Sequence, residues 1–144
     1  MNDLERAVEI ATTAHAGQTD KAGEAYIRHP LRVMQQMTTD RERVVAVLHD
    51  VVEDTGWTRD EIEAEFDSTI REAVDALTKR DEKGETYKEF IERAAQNELA
   101  RTVKIADIED NMNLTRLSTI DQDTLSKQQE YHEAWQRLRT KESR

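Results

Sequence analysis

Val44-Val45-Ala46-Val47-Leu48-His49-Asp50-Val51-Val52-Glu53-Asp54-Thr55 sets four proton or metal ligands beside an apolar run. On an α-helix, at about 100° per residue, His49, Asp50, Glu53 and Asp54 span an arc of roughly 140°, while Val44, Val45, Val47, Leu48, Val51 and Val52 fill a separate arc of roughly 160°. The stretch therefore predicts one helix with a core face and a chemical face. Placing Glu53 and Asp54 one turn beyond His49-Asp50 creates like-charge repulsion that an isolated helix avoids. A divalent cation would relieve it, and so would plain exposure to solvent.

Outward from this stretch the chain reads as helices. Asp40 is the expected cap of the helix carrying the motif, which stops near Thr55-Gly56. Before it, residues 2–16 suit a first helix capped by Asn2 or Asp3. The segment 17–24 holds two of the four glycines and reads as a loop. Pro30 suits the first turn of a short helix through Leu31, Val33, Met34 and Met37, with His29 at its start. After the motif, Thr58 with Glu61 and Thr86 with Glu89 form capping boxes, and Asp67 or Ser68 opens a helix between them. Glu98 to about Asn113 is the next helix. A polar link, 118–123, leads to a last helix at about 125–138, with Tyr131 and Trp135 as packing anchors and a basic end at Arg137, Arg139, Lys141 and Arg144. The expectation is an all-α fold in one domain spanning 1–144.

Composition narrows the chemistry. With 144 residues and no cysteine, any metal must be held by His, Asp, Glu or water. A net charge of −10 argues against nucleic-acid binding, which needs a clustered basic surface. A small polyanion is still allowed, because a metal and a few local cations overrule global charge at close range. No apolar run reaches the length of a membrane span or signal segment, so a cytoplasmic protein with no membrane partner is expected. A homo-oligomer is compatible with all of this.

Asp107 is the best further acid. It ends the apolar run Val103-Lys104-Ile105-Ala106, with Lys104 at i−3 and Asn111 at i+4 on one helix face. The same spacing also fits an Asp–Lys pair on a solvated surface. His29, His49, Asp50 and Asp107 together make a mixed imidazole and carboxylate set able to hold Mn²⁺, Fe²⁺, Co²⁺ or Zn²⁺, and ligand type does not choose among them. Glu53 and Asp54 would remain to take a proton from metal-activated water and orient it. His15 and Tyr26 read as packed structural residues, Arg28 and Arg32 equally as phosphate contacts or a solvated face, and His132 as a surface histidine.

The order Ala14-His15-Ala16-Gly17-Gln18, Tyr26-Ile27-Arg28-His29-Pro30-Leu31, His49 to Thr55, Leu77-Thr78-Lys79 and Val103 to Asp107 followed by Asn111-Met112 resembles the hydrolase domain of the RelA/SpoT family, over residues 7 to 114 or so. The resemblance implies an HD-domain helical bundle and Mn²⁺-dependent removal of 3′-pyrophosphate from an alarmone such as (p)ppGpp or an adenine analogue. It implies His29, His49, Asp50 and Asp107 as metal ligands, Glu53 and Asp54 as the catalytic acidic pair, and Lys21 and Asn111, with Lys104 beside them, as substrate contacts. Its scale is that of a stand-alone small alarmone hydrolase.

Two places depart from the family pattern. Asp20 stands where a cation is usual before Lys21, and Ile108 and Asp110 replace an Arg and a His around Asp107. These changes are expected to alter the surroundings of the nucleotide rather than the hydrolytic centre. A nucleotide phosphomonoesterase and a non-catalytic nucleotide-binding regulator are the competing readings. Release of orthophosphate rather than pyrophosphate distinguishes the first, and binding without turnover the second.

Overall fold

The computed structural model describes residues 1–140. Nine α-helices follow one another among these residues: α1 Asp3–Ala14, α2 Arg28–Gln35, α3 Asp40–Leu48, α4 Val51–Asp54, α5 Arg59–Glu65, α6 Ser68–Ala76, α7 Tyr87–Ala95, α8 Glu98–Asn111 and α9 Gln122–Arg139. The two expected capping boxes open α5 and α7. Two more open α1, at Asn2 with Glu5, and α3, where Thr39 rather than Asp40 is the cap, its hydroxyl accepting from Glu42 N–H while Glu42 reaches back to the Thr39 amide. Lys141 and Arg144, expected at the basic end, lie outside the described residues.

Helix α3 is the axis of the molecule. Every side chain from Val44 to Leu48 is buried, so this half of the helix is apolar all round and must be surrounded. It is enclosed by α1, α2, α6 and α8. Ala7, Ile10 and Ala11 of α1, Val33 of α2, Val74 of α6 and Val103 of α8 belong to the core built around it.

The expectation of a single amphipathic helix through the motif is corrected. Helix α3 ends at Leu48 and α4 begins at Val51. Asp50 sits between them at φ −105°, ψ 1°, in the sparsely populated bridge region where many active-site residues are found. Neighbouring side chains on a continuous helix diverge by about 100° and do not face each other. The break lets His49 and Asp50 converge.

A second, smaller core joins α7, α8 and α9 through Ile91, Ile108, Ala134 and Leu138, with Tyr131 and Trp135 packed against it. Ile108 is fully buried here, which corrects the expectation that it borders the nucleotide. Replacing the fully buried Leu138 with Ala should cost about 2–5 kcal/mol, read as a lower urea midpoint. No described helix is long and apolar enough to cross a membrane.

Candidate metal centre and acidic pair

Two helices and the α3–α4 break bring the imidazole and carboxylate set together. His29 enters from the first turn of α2, His49 and Asp50 from the break, and Asp107 from the third turn of α8. His29 Nε2 lies 2.8 Å from Asp107 Oδ1 and 3.9 Å from Asp50 Oδ2. His49 Nε2 lies 3.1 Å from Asp50 Oδ2 and 3.3 Å from Asp107 Oδ1. His29, His49 and Asp50 offer ligand atoms within 4.8 Å of one another. The outer nitrogens are engaged elsewhere: His49 Nδ1 donates to the Ala46 carbonyl at 2.6 Å and His29 Nδ1 to Asp110 Oδ2 at 2.7 Å. Both Nε2 atoms therefore face the carboxylates, and His49 Nε2 is buried without a hydrogen-bond partner. Such a donor set fits a divalent cation.

Charge is concentrated at this point. Burial works against protonating His49, but Asp50 and Asp107 outweigh it and hold its pKa well above the ordinary imidazole value. His29 is raised as well, burial again being outweighed, here by hydrogen bonds to Asp107 and Asp110. Burial likewise opposes the Asp50 charge, and His49 beside it reverses the balance and lowers its pKa to about 2. Tyr26, expected to be structural, donates its hydroxyl to Asp50 Oδ2. Asp107 is pinned on both sides, by Lys104 Nζ at 2.8 Å and Asn111 Nδ2 at 3.3 Å. The Asp–Lys pair is thus buried rather than solvated, and the Lys104 ammonium also lies 4.9 Å from the centre of the Phe90 ring.

Glu53 and Asp54 stand beside this cluster on α4, reachable from solvent. Glu53 Oε1 accepts from the Lys79 amide at 2.7 Å. The loop supplying that amide is braced by Arg93, which donates to the Thr78 carbonyl at 2.7 Å and to Glu85. The Asp54 carboxylate makes no hydrogen bond among the described residues, although Gln18 Nε2 holds its main-chain carbonyl at 3.2 Å. Crowding by the surrounding walls and the charge of Asp50 raise the pKa of Asp54; Glu53 is raised chiefly by the same crowding.

The cluster opens into a cavity of about 500 Å³ bordered by Lys21, Arg32, Lys79, Arg116, Lys127 and Tyr131, among others, with Lys104 and Asn111 deeper in its wall. This is the size of a small-molecule site. Its cationic rim contrasts with the net charge of −10. Asp20 also borders the cavity, but its Oδ1 accepts from the Ala22 and Glu24 amides at 2.9 Å each, so its carboxylate is spent on closing the loop that carries Lys21. His15 is buried and its Nδ1 pairs with Gln18, whereas His132 is exposed.

Sequence reasoning passed over two contributors. Residue type alone makes Asp110 a replacement for the usual histidine and gives Arg32 two possible roles; in the structure Arg32 grips Asp110 through Nε at 2.9 Å and Nη2 at 3.0 Å. The signal was present: Asp110 follows Asp107 at i+3, on the same helix face.

Residues 7–140 match the HD domain family, and the chain belongs to that family. It is 36% identical over 124 residues to a probable GTP pyrophosphokinase of Mycobacterium leprae, covering 78% of this chain and 16% of that protein. It is 33% identical over 122 residues to a guanosine-3′,5′-bis(diphosphate) 3′-pyrophosphohydrolase of Vibrio cholerae, covering 76% and 17%. With the bifunctional (p)ppGpp synthase/hydrolase SpoT of Escherichia coli K12 it shares 35% over 122 residues, covering 76% and 17%. The chain thus spans about one sixth of the length of these relatives. A solved structure described as a metazoan ortholog of SpoT that hydrolyses ppGpp superposes with a TM-score of 0.80 at 22% identity, over 99% of this chain and 89% of that one. That likeness confirms the helical fold.

Proposed function

We propose that this chain is a divalent-metal-dependent phosphohydrolase that removes pyrophosphate from the 3′ position of a guanosine polyphosphate, with Mn²⁺ as its metal and the cytoplasm as its setting. The observation that carries the reading is the convergence of His29, His49, Asp50 and Asp107 beside the Glu53–Asp54 pair in a cation-rimmed cavity. The pyrophosphohydrolase relatives, aligned over three quarters of this chain, support the choice of substrate.

His29, His49, Asp50 and Asp107 would hold the cation. When bound there, a divalent cation stabilises charge on a phosphoryl oxygen and makes water easier to deprotonate. Asp54, whose carboxylate is unengaged, takes a proton from the attacking water, and Glu53, fixed by the Lys79 amide, orients that water. The water oxygen bonds to the phosphorus nearest the ribose, the bond from that phosphorus to the 3′ oxygen breaks, and the 3′ oxygen is protonated to a hydroxyl as pyrophosphate leaves. Lys21 and Asn111 contact the substrate, and Lys104 sets the charge and position of Asp107. Much of the rate enhancement would come from positioning and electrostatics.

The test is a Mn²⁺-supplemented panel of guanine and adenine 3′-pyrophosphorylated nucleotides with products resolved. Pyrophosphate release that chelation abolishes and Mn²⁺ restores is the expected result. Orthophosphate as the first product would make the protein a phosphomonoesterase, and binding with no turnover above an Asp54→Ala control would make it a regulator.

Metal binding should also be proton-linked. An imidazole ligand must be neutral, and both ligand histidines hold their protons above the usual pKa. Apparent Mn²⁺ affinity is therefore expected to weaken as pH falls through those raised values, by about tenfold per pH unit for each proton displaced. Calorimetry in two buffers of different ionisation enthalpy measures the protons released.

A further inference from the structure

The two imidazoles of the cluster are held in unlike ways. His49 Nδ1 donates to a main-chain carbonyl, whereas His29 Nδ1 donates to the carboxylate of Asp110. That carboxylate is itself fixed. Arg32 Nε and Nη2 reach its two oxygens at 2.9 Å and 3.0 Å, the planar fork geometry that makes arginine a rigid partner for a carboxylate. Arg116 adds a bond to the Asp110 carbonyl at 3.1 Å and approaches Oδ2 at 3.6 Å. Asp110 is largely shielded, its side chain 14% exposed.

We infer that Asp110 is a positioning residue for His29, braced by Arg32, and that this pair raises the affinity of the centre for its metal. The inference rests on the metal assignment above. Donating Nδ1–H to an anion fixes the imidazole tautomer with its lone pair on Nε2, aims Nε2 at Asp50 and Asp107, and makes that nitrogen a stronger donor. Arg32 holds both carboxylate oxygens and offsets their charge, so the cavity does not gain a net anion facing a phosphorylated ligand. The Asp that replaces the usual histidine in this part of α8, while bordering the cavity, thus supports a ligand.

Mn²⁺ alone is the probe, titrated calorimetrically into the parent chain and into Asp110→Ala, Asp110→Asn and Arg32→Ala. Loss of an outer-shell partner of this kind weakens metal binding by about 10- to 100-fold, and that loss is expected for Asp110→Ala. Asp110→Asn should recover part of it, because an amide oxygen still accepts from Nδ1–H; Arg32→Ala should fall between the parent and Asp110→Ala. Imidazole ¹⁵N shifts of the metal-free proteins, taken at a pH high enough for the ring to be neutral, supply a second readout: neutral His29 carries its proton on Nδ1 in the parent and shifts toward Nε2–H in Asp110→Ala. If Asp110→Ala does not fold, weakened Mn²⁺ binding by the other two variants sustains the inference, and unchanged binding by both overturns it. Folded Asp110→Ala with parental Mn²⁺ affinity and an unchanged His29 tautomer overturns it while leaving the hydrolase reading intact. A parent that binds no Mn²⁺ overturns both.

Discussion

Asp54→Asn protein is expected to bind Mn²⁺ with an affinity close to that of the parent while hydrolysing its nucleotide on the order of 10²- to 10⁴-fold more slowly, the usual contribution of a positioned general base. The substitution preserves size and removes only the capacity to take a proton. Asp54 is the better candidate of the acidic pair because its carboxylate makes no hydrogen bond among the described residues, whereas Glu53 is already held by the Lys79 amide. Crowding and the neighbouring Asp50 charge raise its pKa, which brings a carboxylate closer to the operating pH of a base. The base form of Asp54 is lost as pH falls through its pKa, so with Mn²⁺ kept saturating the parent should lose kcat on the acid side. Asp54→Asn should flatten that limb. A variant with near-parental kcat and the same acid limb would remove Asp54 from the mechanism.

Asp107→Ala should fail differently, losing metal and stability together. Asp107 is 3% exposed and is the anion on which Lys104, Asn111 and both ligand imidazoles converge. Removing it leaves the buried Lys104 ammonium without its nearest counter-charge, and breaking a buried pair from one side costs about 3–5 kcal/mol. There is a pH signature as well. The raised folded-state values of His29 and His49 mean that their protonated forms stabilise the metal-free fold fully below the unfolded value of about 6.5, and that this contribution is lost as pH rises through the raised values. Without Asp107 much of it should vanish, so the difference in metal-free stability between parent and variant should narrow with increasing pH. Urea midpoints of the chelated proteins across that range test this, and a variant with parental midpoints and Mn²⁺ affinity would show that Asp107 neither holds the cluster together nor binds the metal.

The parts of this architecture most visible in the sequence were those governed by local rules. Thr58-Glu61 and Thr86-Glu89 announced helix starts because a capping box is completed within four residues. His29, the His49–Asp50 pair and Asp107, distant in the chain, lie together in the structure. The break at Asp50 was hidden because neither Gly nor Pro marks it, and a projection at constant angular step cannot show a change of backbone direction. The same projection assigned Val44, Val45, Val47 and Leu48 to one face, whereas the complete burial of this stretch, Ala46 included, comes from neighbours distant in the chain. Ile108 and Asp110 were both read as departures near a ligand. Side-chain direction separates them: Ile108 enters the α7–α8–α9 core, and Asp110 turns toward His29.

The order in which the cluster's members occur along the chain bears on how it is made. His29 and Asp107 are 78 positions apart, and a ribosome adding about 5–20 residues each second needs roughly 4–16 s to travel between them. During that interval the two imidazoles and Asp50 have been synthesised while the carboxylate that joins them, and the α9 residues bordering the cavity, have not. The α3 axis can meet α1 and α2 early, but the centre takes its final form only once α8 has docked. Assembly of this site is therefore a late event in the vectorial birth of the protein.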